Sequence, residues 1–291
     1  MEHVVRVGPA GWSYQDWKGI VYPKDANSKF DQLAYLAKYF DVIEINSSFY
    51  RPPSENAARS WVRRVAHNDK FKFTAKLYEV FTHKRDHATS EDETNYRSGI
   101  EPLFEAGRLG AILMQFPWSF KNTKEDRDYL DSLIRRFGEY PLVVEVRHSS
   151  WNDPEVYGSF EEQGIGFCNI DQPIFSRSIK PSALTTSSVG YVRLHGRNYE
   201  HWFAEFSDDA RARAERYNYL YSVKELEPWV DKIKKIARQS VETYVITNNH
   251  FQGKGVVNAL EIERLLTGDT PPGPPSLFDH YPRIRDSATP E

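Results

Sequence analysis

The sequence predicts a single-domain α/β protein, a (β/α)8 barrel of the TIM type, and three observations carry that prediction. Eight short apolar runs recur along the chain, most of them separated by stretches of helical periodicity. The 291 residues lie near the roughly 250 typical of such a barrel. No G-x-G-x-x-G follows the first run, and GPAGW (8–12) is too short to cradle a dinucleotide, which disfavours a doubly wound sheet.

The first strand is expected at VVRVG (4–8), opening into PAGWSYQDW. The second, FDVIEINSSFY (40–50), follows FDQLAYLAKYF, in which Phe30, Leu33, Tyr35, Leu36, Ala37 and Phe40 suit one helix face. FKFTAK (71–76) comes after the helix-like NAARSWVRRVA. LGAILMQFP (109–117) is ended by Pro117, which has no N–H for a sheet ladder. PLVVEVRH (141–148) follows DRDYLDSLIRRFGEY, and IGFCNID (165–171) follows FEEQG. The last two are GYVRLHG (190–196) and TYVITNNH (243–250), the latter after LEPWVDKIKKIARQ. Segments 77–108 and 197–221 are long and polar enough to read as extended βα loops, the place where barrel enzymes build lids. The barrel domain is placed at 1–266. Residues 267–291, TGDTPPGPPSLFDHYPRIRDSATPE, form a proline-rich C-terminal tail expected to be irregular, a strap or a frayed end. Its PPSLF weakly resembles the Q-L-S-L-F type of peptide that bacterial sliding clamps capture, without the glutamine.

Composition narrows the function classes. The net charge of −3, from 38 basic and 41 acidic residues, gives no global field for nucleic acid or an anionic membrane; a local patch for nucleic acid stays open. Cys168 is the single cysteine, so an internal disulfide framework and a cysteine-rich zinc site are both excluded. The N-terminal residues lack a basic region followed by a long apolar run, and no stretch approaches the ~20 apolar residues that span a bilayer. A cytoplasmic protein is the expectation.

In a parallel barrel the site lies at the C-terminal ends of the strands. The predicted ends read Gly11-Trp12-Ser13-Tyr14; Glu44, Asn46 and Ser48 with Tyr50 and Arg51 beyond; Lys76; Gln115; Glu145, Arg147 and His148; Asp171; Arg193 and His195; and Asn248-Asn249. Each run thus finishes in groups that donate, accept or titrate, while the interiors stay mostly apolar. Strand periodicity puts Glu44, Asn46 and Ser48 on one face, and likewise Glu145 with Arg147 and Arg193 with His195. Plainer readings stand beside these. Glu145 and Arg147 form either a neutralised pair plugging the barrel or the edge of a site, since buried charges survive only when paired. His195 is alternatively a core histidine satisfied by a carbonyl. Asn248-Asn249 is alternatively a turn closed by side-chain hydrogen bonds, and Trp12 and Trp17 are alternatively ordinary packing.

GWSYQDWKGIVYP (11–23), FDVIEINSSFYRPPS (40–54), FKFTAK (71–76), LMQFPWSF (113–120), VEVRHSSW (144–151), YVRLHGR (191–197) and NNHFQGKGVVNAL (248–260) together resemble the YecE-like family, domain of unknown function 72. The resemblance runs in order to about Leu266. It is less distinct at Asp171 and at 197–221, and ITNNH departs from the more usual aromatic-Asn-Asn ending of the last strand. It implies a TIM-type barrel related in shape to the endonuclease IV and xylose isomerase group, and implies no particular reaction.

The residues themselves favour an enzyme that uses acid/base chemistry, a hydrolase, lyase or isomerase, on a small anionic substrate that is phosphorylated, sugar-like or nucleotide-like. Lys76, Arg51, Arg147, Arg193 and Arg197 gather cationic donors, and a guanidinium fork suits phosphate or carboxylate. Trp12, Tyr14 and Tyr50 offer faces for a sugar or base. Glu145 or His195 is the expected general acid or base, with Glu44 and Asp171 as further catalytic candidates and Arg147 and Arg193 stabilising developing charge. Asn46, Ser48, Gln115, His148, Asn248 and Asn249 complete the expected substrate contacts. Three alternatives stay open. One is a metal-dependent phosphodiesterase or nuclease, by analogy with endonuclease IV, with Glu44, Glu145, Asp171 and His195 as ligands. The second is a glycosidase using Glu44 and Glu145. The third is a non-catalytic barrel that binds a ligand, or a partner through its tail. No cofactor is assigned.

Overall fold

Every predicted apolar run forms a strand, and each strand lies parallel to its neighbours in one nearly closed barrel. The computed structural model describes residues 3–203 and 214–291. The strands are β1 (Val4–Pro9), β2 (Val42–Ile45), β3 (Lys72–Lys76), β4 (Leu109–Gln115), β5 (Leu142–Glu145), β6 (Gly166–Asp171), β7 (Val189–Leu194) and β8 (Glu242–Thr247). β8 pairs with both β7 and β1. The remaining seam, between β1 and β2, is held at its top, where the Gly11 N–H donates to the Glu44 carbonyl at 2.8 Å. Gly8 permits that approach, because a Cβ there would stand 1.9 Å from the Val42 carbonyl oxygen.

Three strands stop sooner than alternation predicts; β7 ends at Leu194, one residue before His195. β2 ends at Ile45, and Ser47–Tyr50 turns into a short helix, so Ser48 does not share a strand face with Glu44. The Ser48 hydroxyl instead lies 2.8 Å from each of the Ile45 and Lys76 carbonyl oxygens and fastens the turn. β5 ends at Glu145, which leaves Arg147 and His148 in the loop beyond it. These strands carry polar residues just past the rim, where ladder pairing ceases and side chains compete for the backbone.

Helices cover most of the barrel with their apolar faces inward. Lys124–Phe137 buries Leu130, Leu133, Ile134 and Phe137, and the Thr123 side chain accepts from the Asp126 N–H to start it. Between β6 and β7 no helix forms; residues 172–188 run as an irregular strap. Asn169, fully buried, pins this strap: its Oδ1 accepts from the Leu184 N–H at 2.8 Å and the Ser182 hydroxyl at 2.7 Å, and its Nδ2 donates to the Leu184 carbonyl at 2.9 Å. The long segment 77–108 folds into Glu79–Thr82 and Ser90–Glu105. Of the other expected long loop, 197–221, the part 204–213 lies outside the described residues.

The tail is more regular than its proline content suggests. Pro275–His280 is helical, and Pro272–Gly273 pairs with Thr289–Pro290. Leu277, Phe278, Ile284 and Ala288 are buried against the barrel. Leu277 and Phe278 are the apolar residues of the clamp-like peptide, so they are packed inward here. Among the described residues, no helix is long and apolar enough to cross a membrane.

Candidate active site

At the C-terminal ends of the strands, inside the barrel, four charged side chains neutralise one another. The Arg193 guanidinium from β7 donates from Nη2 to Glu44 Oε1 on β2 and from Nη1 to Glu145 Oε2 on β5, each at 2.6 Å, and to Gln115 Oε1 on β4 at 3.1 Å. The second oxygen of Glu145 is ion-paired with Arg147, whose other Nη donates to Gln172. The Tyr191 hydroxyl stands between Glu44 Oε2 at 2.9 Å and Thr74 Oγ1 at 2.8 Å. Glu44, Glu145 and Arg193 are all 0% exposed. Burial pushes the Glu145 carboxyl up, but Arg147 and Arg193 outweigh it and hold it well below the usual carboxylate range. Burial likewise works against the Arg193 charge, and Glu145 and Glu44 more than restore it.

His195 closes this layer. Its Nε2 lies 3.4 Å from Glu145 Oε1 and 3.2 Å from Arg147 Nη2, and the Asn248 side-chain amide reaches Nδ1 at 2.9 Å. Burial and then Arg147 push its pKa well below the ordinary value, so the ring is neutral at physiological pH.

A cavity of about 440 Å³ opens beside this layer. Its walls include Trp12, Tyr14, Asn46, Tyr50, Lys76 and Asn248, all expected from the sequence, and also Ser47, Tyr217 and His250, which were not. Lys76 and Asn248 connect it to the charge layer: Asn248 holds His195, and Lys76 feels Arg193, Glu44 and Glu145 electrostatically. No carboxylate lines the cavity among the described residues, and Lys76 is the one cationic side chain that does. Burial, reinforced by Arg193, pushes the Lys76 amine down to about 7 against the opposing pull of Glu44 and Glu145. His250 is pushed down to about 4 by burial alone; its ring stacks on Tyr14 at 4.3 Å and lies tilted against Tyr217 at 4.7 Å.

The other expected residues lie outside the cavity lining. Asp171 is forked by Arg197 at 2.9 and 3.2 Å, and Arg197 also meets Glu225 at 3.4 Å. Asn249 is buried and ties the Tyr219 carbonyl to Asn258. His148 accepts from the Ser150 N–H and caps the turn 149–151, with Trp118 edge-on to its ring. Arg51, on the loop after β2, is exposed and lies outside the cavity lining. Among the described residues, no three His, Cys, Asp or Glu side chains converge to hold a metal ion. Glu44, Glu145, Asp171 and His195, the ligands that a metal-dependent reading would use, are engaged instead by arginines and by Asn248.

The family model for "Protein of unknown function DUF72" matches residues 6–277. The chain belongs to the DUF72 family. It is 27% identical over 278 residues to the UPF0759 protein YunF of Bacillus subtilis strain 168, covering 90% of this chain and 95% of that protein. It is 24% identical over 195 residues to the UPF0759 protein YecE of Escherichia coli K12, covering 66% of this chain and 63% of that one. Among solved structures, a DUF72 family protein of Thermotoga maritima MSB8 is similar with a TM-score of 0.78 and 35% identity, over 91% of this chain and 99% of that one. A DUF72 family protein of Enterococcus faecalis V583 follows with a TM-score of 0.77 and 26% identity, over 90% and 95%. The DUF72 match confirms the family resemblance legible in the motifs, and the likeness to these solved barrels confirms the fold.

Proposed function

We propose that this DUF72 protein is an enzyme carrying out acid/base chemistry on a small anionic substrate in the cavity at the strand C-termini. The observation that carries this reading is Lys76. Beneath the cavity, Glu44 and Glu145 are matched by Arg193 and Arg147, so that layer presents no net charge, and among the described residues Lys76 is the charge left facing the space. An amine poised near neutrality is half protonated at cellular pH, and such a group both takes and gives a proton efficiently. An anion in the cavity stabilises its ammonium form, and a proton taken from the substrate leaves that ammonium beside the negative charge that develops. The acid/base role, expected from the sequence at Glu145 or His195, is better supported at Lys76. Glu145 is spent on two arginines, and His195, 1% exposed, is not in the lining. Trp12, Tyr14, Tyr50 and Tyr217 supply the faces on which a sugar or planar group stacks.

The test is thermal stabilisation by a panel of small phosphorylated and carboxylated metabolites, run on the wild type and on Lys76→Met. A ligand that raises the wild-type Tm and loses at least about tenfold in affinity on Lys76→Met is the expected result, since a charge-assisted contact is worth about 1.5–3 kcal/mol. Equal binding by both proteins, or no anion bound by either, would overturn the reading.

A further inference from the structure

We infer that Lys76 is a nucleophile, and that the substrate class is a small carbonyl compound bearing an anionic group, which the Lys76 amine holds as an imine. This rests on the reading of the cavity as a substrate site and names what the amine does there.

Three features of the geometry point to a nucleophile. Lys76 closes β3, and its side chain is 8% exposed, so the stem is clamped by the barrel while the amine meets the cavity. The amine has no hydrogen-bond acceptor and no ion-pair partner among the described residues; both nearby carboxylates are already taken by Arg193 and Arg147. It sits over the face of Phe49, with Nζ 4.0 Å from the ring centre. An ammonium carries three donors that want acceptors, whereas a neutral amine offers one lone pair, and this surrounding suits the second. The aromatic face still tolerates a positive charge, as an iminium requires.

The polar groups that attend such a carbonyl are also present. The Asn46 amide reaches the Tyr14 hydroxyl at 3.4 Å, and both line the same cavity as Lys76. In the step proposed, the Nζ lone pair attacks the carbonyl carbon, and the C=O π pair becomes an alkoxide that receives a proton from nitrogen. The resulting carbinolamine then loses its hydroxyl with the second nitrogen proton. One C–N double bond forms, one C–O double bond is lost and one water leaves; no oxidant or reductant is needed. Desolvation that depresses the amine supplies the unprotonated form at neutral pH, on the order of 10³-fold more of it than an ordinary surface lysine offers.

The experiment treats the full-length protein at neutral pH with glyoxylate and sodium cyanoborohydride, which reduces imines to stable amines, and maps the adducts by peptide mass spectrometry. The expected result is one carboxymethyl group on the Lys76 peptide, formed at least about tenfold faster than on any exposed lysine. Lys76→Arg and Lys76→Met are expected to lose the fast adduct and keep the slow surface labelling. Should either variant fail to fold, the wild-type map alone decides by the position of fastest labelling. Labelling spread over exposed lysines with none on Lys76 overturns the inference. If that happens while anions still raise the Tm in a Lys76-dependent way, the imine falls and the acid/base reading stands. If neither is seen, both fall.

Discussion

Arg193 is the side chain on which the barrel mouth depends. It is fully buried and carries two carboxylates, one from β2 and one from β5, so it ties opposite sides of the barrel together. Deleting one partner of a buried ionic group is far more damaging than the net worth of the pair, because the remaining charges stay desolvated. Arg193→Ala is therefore expected to cost about 3–5 kcal/mol, read as a lower urea midpoint. A loss below ~1 kcal/mol would mean that water reaches Glu44 and Glu145 freely. Lys76 makes the opposite case. Its folded pKa lies at about 7, below the ~10.4 of an unfolded lysine, so the unfolded state binds more protons between those values. Stability should rise with pH across that window, with the full penalty present below it. The charges facing the amine are Arg193, Glu44, Glu145 and Arg147. Urea unfolding of wild type and Lys76→Met from pH ~6.5 to ~9.5 checks the sign: the variant should show a flatter rise. Glu145, with a depressed pKa, contributes in the other sense; its stabilisation is present above the ordinary carboxylate range and disappears in acid.

At the scale of elements, the strap 172–188 takes the place of a helix, and Asn169 stands in for helical packing. Asn169→Ala leaves the partly buried Leu184 N–H and carbonyl without their partners, which costs about 1–3 kcal/mol. Hydrogen exchange should locate the effect, with faster exchange at Leu184 and little change in β4 or β5. The strands themselves are legible in the sequence because short apolar runs between polar segments report strands buried on both faces; every run lies where a strand forms. What periodicity misses is where a ladder stops. NSSFY continues the pattern of β2, yet Ser48 prefers the backbone carbonyls of Ile45 and Lys76 and turns the chain into a helix. Nor does a strand end reveal its partner. Arg193 and Glu145 are each visible as polar ends, but their mutual neutralisation depends on barrel closure, and with it the choice of Lys76 as the group facing the cavity. Tyr217 and His250 escape for a related reason. Both come from loops; His250 stacks on Tyr14 and meets the Tyr217 ring, contacts between distant parts of the chain. For His250 a signal does exist, since it follows directly on the Asn248-Asn249 pair that ends β8.

At the scale of the whole molecule, the C-terminal tail is a brace for the site. Leu277 packs beside Gly253, in the turn that follows His250. The Tyr281 hydroxyl donates to the Gln252 carbonyl at 2.8 Å, and the Gln252 N–H reaches Asp16 at 2.6 Å. Arg283 donates to Glu261 at 2.8 Å and to the Tyr221 carbonyl at 2.6 Å, joining the tail to the segment that carries Tyr217. The Trp17 indole donates to the His250 carbonyl at 2.8 Å, so the β8 loop is held between the first βα loop and the tail. A tail serving as a peptide for a partner must release Leu277 and Phe278, whereas a brace must keep them. The two roles separate in one variant. Leu277→Ala is expected to cost about 2–5 kcal/mol as a buried large-to-small change. It should also weaken anion binding at the cavity, because the turn behind His250 loses its backing. Urea denaturation and the thermal-shift titration together measure both effects. Unchanged stability with unchanged anion binding would return the tail to the role of a detachable peptide; loss of both makes residues 267–291 part of the barrel's working structure.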